Sequence, residues 1–129
     1  MRYSDFVSNV QNTAGLDGAG ADVAAIRATL ETLAERLSAD EVKDMAAQLP
    51  REIAVYVGGA GQAQRFSLED FFRKVAEREP ADLPDATYHA RAVVEVLDEA
   101  VSAGEMNDIR ESLPAGWRPL FAGSQGEIR

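Results

Sequence analysis

The stretch Arg27–Pro50, RATLETLAERLSADEVKDMAAQLP, decides the fold because the chain repeats it at Arg91–Pro114 as RAVVEVLDEAVSAGEMNDIRESLP. Eleven of the 24 aligned positions are identical, whereas average residue usage would give roughly two by chance. The offset of 64 residues exceeds the repeat length of solenoid proteins, which is about 20–50 residues. The pattern therefore predicts a duplicated half-domain.

The apolar spacing in each copy predicts a long helix. Apolar residues between Val23 and Leu37 recur at three- and four-residue steps, which is typical of an amphipathic helix of about 16 residues. The counterpart runs from about Ala86 to Val101 and carries a second apolar stripe. Burial on two sides is expected of a central helix.

Helix boundaries follow each long helix at equivalent places. Ser38-Ala-Asp-Glu41 and Ser102-Ala-Gly-Glu105 both fit the capping box, in which serine and glutamate side chains satisfy each other's backbone N–H groups. Pro50 and Pro114 end the short helices that begin there. The remaining predicted helices are Ser4–Asn12 with Ser4 as cap, Leu68–Glu79 with Ser67 as cap, Pro50–Val57, and Pro114–Phe121.

These boundaries predict a single compact all-α domain of about eight helices built from two homologous helical half-repeats. The half-repeats are 1–57 and 66–121, joined by a Gly-rich linker at 58–65 and followed by a flexible tail at 122–129. The expected core comprises Phe6, Val10, Ile26, Leu30, Leu33, Leu37, Met45, Leu49, Phe71, Val75, Val94, Leu97, Val101, Ile109, Leu113 and Trp117.

Composition excludes several classes of site. The chain has no cysteine and a single histidine, so disulfide scaffolds, thiolate metal sites and cysteine nucleophiles are excluded, and few routes to a zinc site are left. Thirteen basic and 22 acidic residues give a net charge of −9, which disfavours nucleic acid as a partner. No apolar run reaches about 18 residues and no export signal is evident, so we expect a cytoplasmic protein with no membrane partner.

The sequence resembles a known family. The opening Met1–Phe6, the stretch Ala14-Gly15-Leu16, the run Leu30–Leu37 and the closures Gln48–Pro50 and Ser112–Pro114 are similar to the bacterial domain of unknown function 2267 family. The resemblance covers residues 1–121 and implies a compact helical protein with two similar halves, sometimes found in stress-related regulatory settings. It implies no activity, cofactor or catalytic residue.

Arg27 and Arg91 are the candidate binding residues. They occupy the same position in both copies, one helical turn before Glu31 and Glu95. One interpretation is an ion pair within each helix, worth a few tenths of a kcal/mol. The other is a pair of anion clamps facing one cleft between the halves.

His89 and the repeated acidic positions favour structural interpretations. His89 follows Asp85 by four residues and aligns with Ala25, a poor match to a Glu-x-x-His metal motif, so we expect a boundary histidine. Glu31/Glu95 and Glu35/Glu99 are expected on solvated faces, and Glu41 and Glu105 as capping residues. With Asp44/Asp108, these pairs could in principle hold a hard cation.

Aromatic residues offer a possible docking surface. Five of them lie near predicted helix ends: Phe66, Phe71, Phe72, Trp117 and Phe121. Such residues are more often core. Tyr56 and Val57 beside the linker are the candidates for an exposed apolar patch.

The favoured function is a non-enzymatic cytosolic interaction or regulatory module, with no catalytic residue, metal or cofactor and with another protein as the expected partner. Its acidic surface suits solubility or a basic partner. The alternative is a small-ligand or anion binder, or an enzyme, using a cleft between the halves around Arg27 and Arg91. A third hypothesis is metal-dependent chemistry at His89.

Overall fold

A computed structural model describes residues 1–18, 20–58 and 62–123, and their regular structure is helical, as predicted. The helices are α1 Tyr3–Ala14, α2 Ala21–Arg36, α3 Ala39–Ala47, α4 Arg51–Ala54, α5 Leu68–Arg78, α6 Leu83–Ala100, α7 Ala103–Glu111 and a 3₁₀ helix at Ala115–Ala122. In this part of the chain the only extended pairing is one isolated bridge between Ser38 and Gln62. The all-α class is confirmed.

Serine caps set the start of three helices. The hydroxyls of Ser38, Ser67 and Ser102 accept from the N–H three residues on, at 3.1–3.2 Å, and begin α3, α5 and α7. The predicted return bond from glutamate is wrong: within the described residues the Ser102 N–H donates instead to Gln48 Oε1 at 2.6 Å.

Two predicted helix starts are also wrong. Ser4 is not a cap, because α1 begins at Tyr3, and Arg2 precedes it as the cap residue. Helix α6 begins at Leu83 rather than near Ala86, since the Asp82 side chain accepts from the Asp85 N–H at 2.9 Å. Aspartate caps of this kind satisfy N–H groups that the first turn leaves unpaired.

Helix α6 lies at the centre and contacts α1, α2, α5 and the 3₁₀ helix. Every residue of the expected core is buried, because the apolar stripes of the long helices face these neighbours. The predicted patch beside the linker is partly wrong: Val57 is fully buried, whereas its neighbour Val55 is 68% exposed.

The opening helices pack across the two predicted halves. Helix α1 contacts α6, and α5 contacts α2. The Tyr88 hydroxyl donates to the Thr13 carbonyl at 3.2 Å, and Arg78 donates to Thr32 Oγ1 at 2.9 Å and pairs with Glu35 at 2.8 Å. Contacts with helices of the other half therefore stabilise each half. The duplication itself stays a prediction from the sequence.

The segment between the halves is bonded to the end of α2. The Ala63 N–H donates to the Leu37 carbonyl at 3.0 Å and the Gln64 N–H to the Glu35 carbonyl at 2.9 Å. Residues 59–61 of the predicted linker and 124–129 of the predicted tail lie outside the described residues. None of the described helices is both long and apolar enough to cross a bilayer.

Candidate functional site

Two neighbouring depressions share Leu113 and Pro114 as a common wall. The first, which we call the inter-half cleft, has a volume of about 410 Å³ and is lined by Arg36, Leu37, Ser38, Ala63, Arg65, Ser112, Leu113 and Pro114. The second, which we call the tryptophan groove, has a volume of about 470 Å³ and is lined by Arg110, Glu111, Leu113, Pro114, Ala115, Trp117, Arg118 and Phe121. The cleft draws its walls from both predicted halves and the segment between them.

Arg36 is held in a fixed orientation at the cleft. It is the last residue of α2, its Nε donates to the Phe66 carbonyl at 3.2 Å, and its guanidinium lies 5.3 Å from the centroid of the Trp117 ring. Burial, and then the nearby charge of Arg65, lower the pKa of Arg36. Arginine nonetheless keeps its charge in proteins, so the cleft holds two guanidinium groups that repel each other.

Buried aromatic rings form the floor of the tryptophan groove. Trp117 is only 3% exposed and its ring lies 5.4 Å from Phe71 and 6.1 Å from Phe66. Phe71 and Phe72 are buried, while Phe66 and Phe121 are half-buried. The core interpretation of the aromatic residues therefore holds for three of the five, and Phe121 is the ring that presents partly exposed surface to the groove.

Arginines line both depressions. The Arg110 guanidinium lies 5.4 Å from the Phe121 ring centroid and 3.5 Å from the Asp98 carboxylate. Arg65 and Arg118 are exposed, and neither forms an ion pair with a described residue. Against these arginines and Arg36, the described lining contributes one carboxylate, Glu111. A chain of net charge −9 thus concentrates positive charge on one surface.

Arg27 and Arg91, the two arginines predicted to bind an anion, contact different groups in the structure. Arg27 donates to Glu31 at 3.1 Å and lines a groove of about 470 Å³ made by α2, its preceding residue Gly20 and Arg78. The Arg91 guanidinium lies 6.0 Å from the Phe72 ring centroid on α5. The expected ion pair within α2 is therefore present, and Arg91 does not line the groove beside Arg27.

His89 contacts a carboxylate on another helix. Its Nδ1 makes a short contact with Glu79 Oε2 at the end of α5, and the side chains of His89 and Glu79 are 14% and 5% exposed. Burial raises the pKa of Glu79, and His89 partly opposes this shift. Among the described residues no three histidine, aspartate or glutamate side chains are placed to hold a metal ion. The contact fits the boundary interpretation of His89.

Repeated acidic residues meet where α3 packs on α7. Burial raises the pKa of Glu105, and the carboxylates of Glu41, Asp44 and Asp108 raise it further. Burial and neighbouring carboxylates, Asp108 first, likewise raise the pKa of Glu41. One oxygen of each glutamate is buried without a hydrogen-bond partner among the described residues. We call these four residues the acidic seam.

Sequence reasoning missed Arg36 and Arg65. Arg36 aligns with Ala100, and Trp117 aligns with Ile53, so these two residues are positions at which the copies differ. The repeated charged positions favour Arg27 and Arg91 instead. Differences between the copies were the available signal for Arg36.

Comparison with known families adds one match. Residues 3–120 match the family model described as an uncharacterized conserved protein, DUF2267. No curated protein matches the chain. The match spans nearly the whole chain, including the helices that form both depressions, and the chain therefore belongs to the DUF2267 family.

Proposed function

We propose that this protein is a non-enzymatic interaction module of the bacterial cytosol that holds a segment of a partner protein in the tryptophan groove. The observation that carries the proposal is the combination of the partly exposed Phe121 ring with an arginine rim. Aromatic residues and arginine are enriched at protein interfaces. The volume of the groove, about 470 Å³, is within the range of ligand-binding pockets.

Charge complementarity identifies the kind of segment. Arg110 and Arg118 line the groove against Glu111, so its local charge is opposite to that of the chain as a whole. An acidic segment with one aromatic or branched apolar side chain would place that side chain beside Phe121 and its carboxylates beside Arg118. The overall acidic surface suits solubility or a basic partner, whereas the charge of the groove favours an acidic one.

Peptide selection tests this proposal. A library of random 12-residue peptides displayed on phage is selected against the purified full-length chain. We expect enrichment of peptides with aspartate or glutamate next to an aromatic or branched apolar residue. Synthetic forms of the selected peptides are then titrated against the protein by calorimetry.

Matched variants decide where the peptides bind. Arg118→Glu reverses a charge on the groove, and Arg27→Glu reverses one on the separate groove beside α2. Arg118→Glu should weaken binding at least tenfold and Arg27→Glu should leave it unchanged. Equal affinity for both variants, or selection without acidic enrichment, would contradict the proposal.

A further inference from the structure

The inter-half cleft gathers positive charge from two separate parts of the chain. Arg36 comes from the end of α2 and Arg65 from the segment between the halves. No carboxylate occurs among the described residues that line the cleft. The nearest acidic neighbour in sequence, Glu35, is already paired with Arg78 at 2.8 Å.

The donors that face this cleft are left available. Arg36 uses Nε for the Phe66 carbonyl and its face for Trp117, so no described residue accepts from its two terminal nitrogens. The Ser38 hydroxyl accepts from the Glu41 N–H, which leaves its own proton to donate. Ser112 is different, because its hydroxyl already donates to the Ile109 carbonyl at 2.7 Å.

Two guanidinium groups at one cleft favour a ligand with two negative charges. Arginine presents parallel N–H donors that match the oxygens of a phosphate group in pairs. A carboxylate would balance one of the two charges, whereas a phosphate monoester carries about −1.5 to −2 at neutral pH. The fixed orientation of Arg36 also reduces the entropy lost when it binds a ligand.

We propose that the inter-half cleft is a binding site for a phosphate group, held by the guanidinium groups of Arg36 and Arg65 and by the hydroxyl of Ser38. The phosphate group could be carried by a small phosphate monoester or by a phosphorylated side chain of a partner. Leu113 and Pro114 form a wall of both the cleft and the tryptophan groove. A phosphorylated segment could therefore occupy both, but the phosphate site does not depend on the proposed function.

Calorimetry with inorganic phosphate provides the primary test. The full-length chain is titrated with sodium phosphate and, separately, with sodium acetate at matched ionic strength and pH 7.5. We expect saturable phosphate binding at one site and much weaker binding of acetate. Equal heats for the two anions, or no binding of phosphate, would overturn the proposal.

Substitutions locate the site. Arg65→Gln changes an exposed side chain with no hydrogen bond or ion pair to a described residue, so the fold should be kept, and phosphate binding should weaken about tenfold. Arg36→Lys keeps the charge but loses the paired donors, and it should weaken binding by a similar factor. Arg27→Gln in the separate groove beside α2 is the control and should bind phosphate normally. Unchanged binding in both cleft variants would overturn the proposal.

A second titration separates the sources of the phosphate. Glycerol phosphate and a phosphoserine peptide with flanking apolar residues are compared as competitors of inorganic phosphate. Tighter competition by the peptide, lost in Phe121→Ala but not in Arg27→Gln, identifies a partner's side chain. Equal competition by both identifies a small monoester. Either result supports the cleft, and neither depends on whether the unphosphorylated peptides of the first proposal bind.

Discussion

The two predicted halves end in different ways although the stretches that precede their ends, 27–50 and 91–114, are similar in sequence. The first half ends in α4, a four-residue helix followed by turns that bury Ile53 and Val57 completely. The second half ends in the 3₁₀ helix, where Trp117 takes the place of Ile53 and Arg118 that of Ala54. The end of the first half buries the aliphatic side chains of Ile53 and Val57. The end of the second half buries the Trp117 ring beside two open depressions.

This difference indicates that the helices and the lining of the two depressions depend in part on different residues. Residues shared by the two copies include the serine caps, the prolines at helix ends and several core positions, and they favour the same sequence of helices. Residues that differ, such as Arg36 against Ala100 and Trp117 against Ile53, give the two depressions part of their arginine and aromatic lining. Substitutions at such positions test this difference directly.

The largest effect is expected for Trp117→Ala. Truncation of a buried tryptophan leaves a cavity beside Phe71 and Phe66 and should lower the free energy of unfolding by about 4 kcal/mol. The matched change Ile53→Ala at the first end should cost about 3 kcal/mol. Urea unfolding followed by circular dichroism measures both. A loss below about 1 kcal/mol for Trp117→Ala would show that the ring is not part of the core.

A smaller effect is expected for His89→Ala, which gives α6 the residue that α2 has at Ala25. The buried Glu79 carboxylate then loses its partner, and the free energy of unfolding should fall by about 2 kcal/mol at pH 7. Burial already raises the pKa of Glu79, so the folded variant holds the Glu79 proton more tightly than the unfolded chain does. Stability of the variant should therefore fall as pH rises from 5 to 7.

A double variant provides the control for this pair. Glu79→Gln in the His89→Ala background removes the unpaired charge, and part of the lost stability should return. The fall in stability between pH 5 and pH 7 should also disappear. If the double variant is less stable than His89→Ala at pH 7, the unpaired carboxylate is not the cause of the loss.

The smallest effect concerns the acidic seam, where both halves contribute equivalent residues. Glu105 has its pKa raised by burial and by three nearby carboxylates, so its contribution favours folding at low pH and is lost as pH rises through the folded pKa. Glu105→Gln should therefore raise the free energy of unfolding at pH 7 by up to about 1 kcal/mol. The gain should shrink as pH is lowered to 4.

Glu99→Gln is the matched control, because Glu99 is an exposed residue of α6 outside the seam. It removes the same charge from the chain but none of the repulsion between α3 and α7. Thermal unfolding at pH 7 and pH 4 measures both variants. An equal gain in both would mean that net charge, rather than the seam, is responsible.

Local signals explain why the fold could be predicted. The signals are serine caps, prolines and apolar spacing, each of which acts within a few residues. Together they predict the helices and the buried positions of the expected core. The predicted start of a helix is wrong where the N-cap is a residue other than serine, as at Asp82 before α6. Val57 was missed because its burial depends on packing of the turns after α4, which adjacent residues do not encode.

The candidate site could not be predicted in the same way. Arg36 and Arg65 are 29 positions apart and share a cleft only because residues 62–66 return along the end of α2. The acidic seam likewise depends on the contact between α3 and α7. Both features arise from tertiary contacts between elements that lie far apart in the sequence.

The packing of the opening helices on both halves has a consequence for the origin of the fold. Helix α1 packs on α6 as well as α2, and α5 packs on α2 as well as α6, so a single copy of the repeated unit would leave apolar faces uncovered. If the sequence repeat records a duplication, two copies of the single unit could cover these faces only by packing against each other, as the two halves of this chain do.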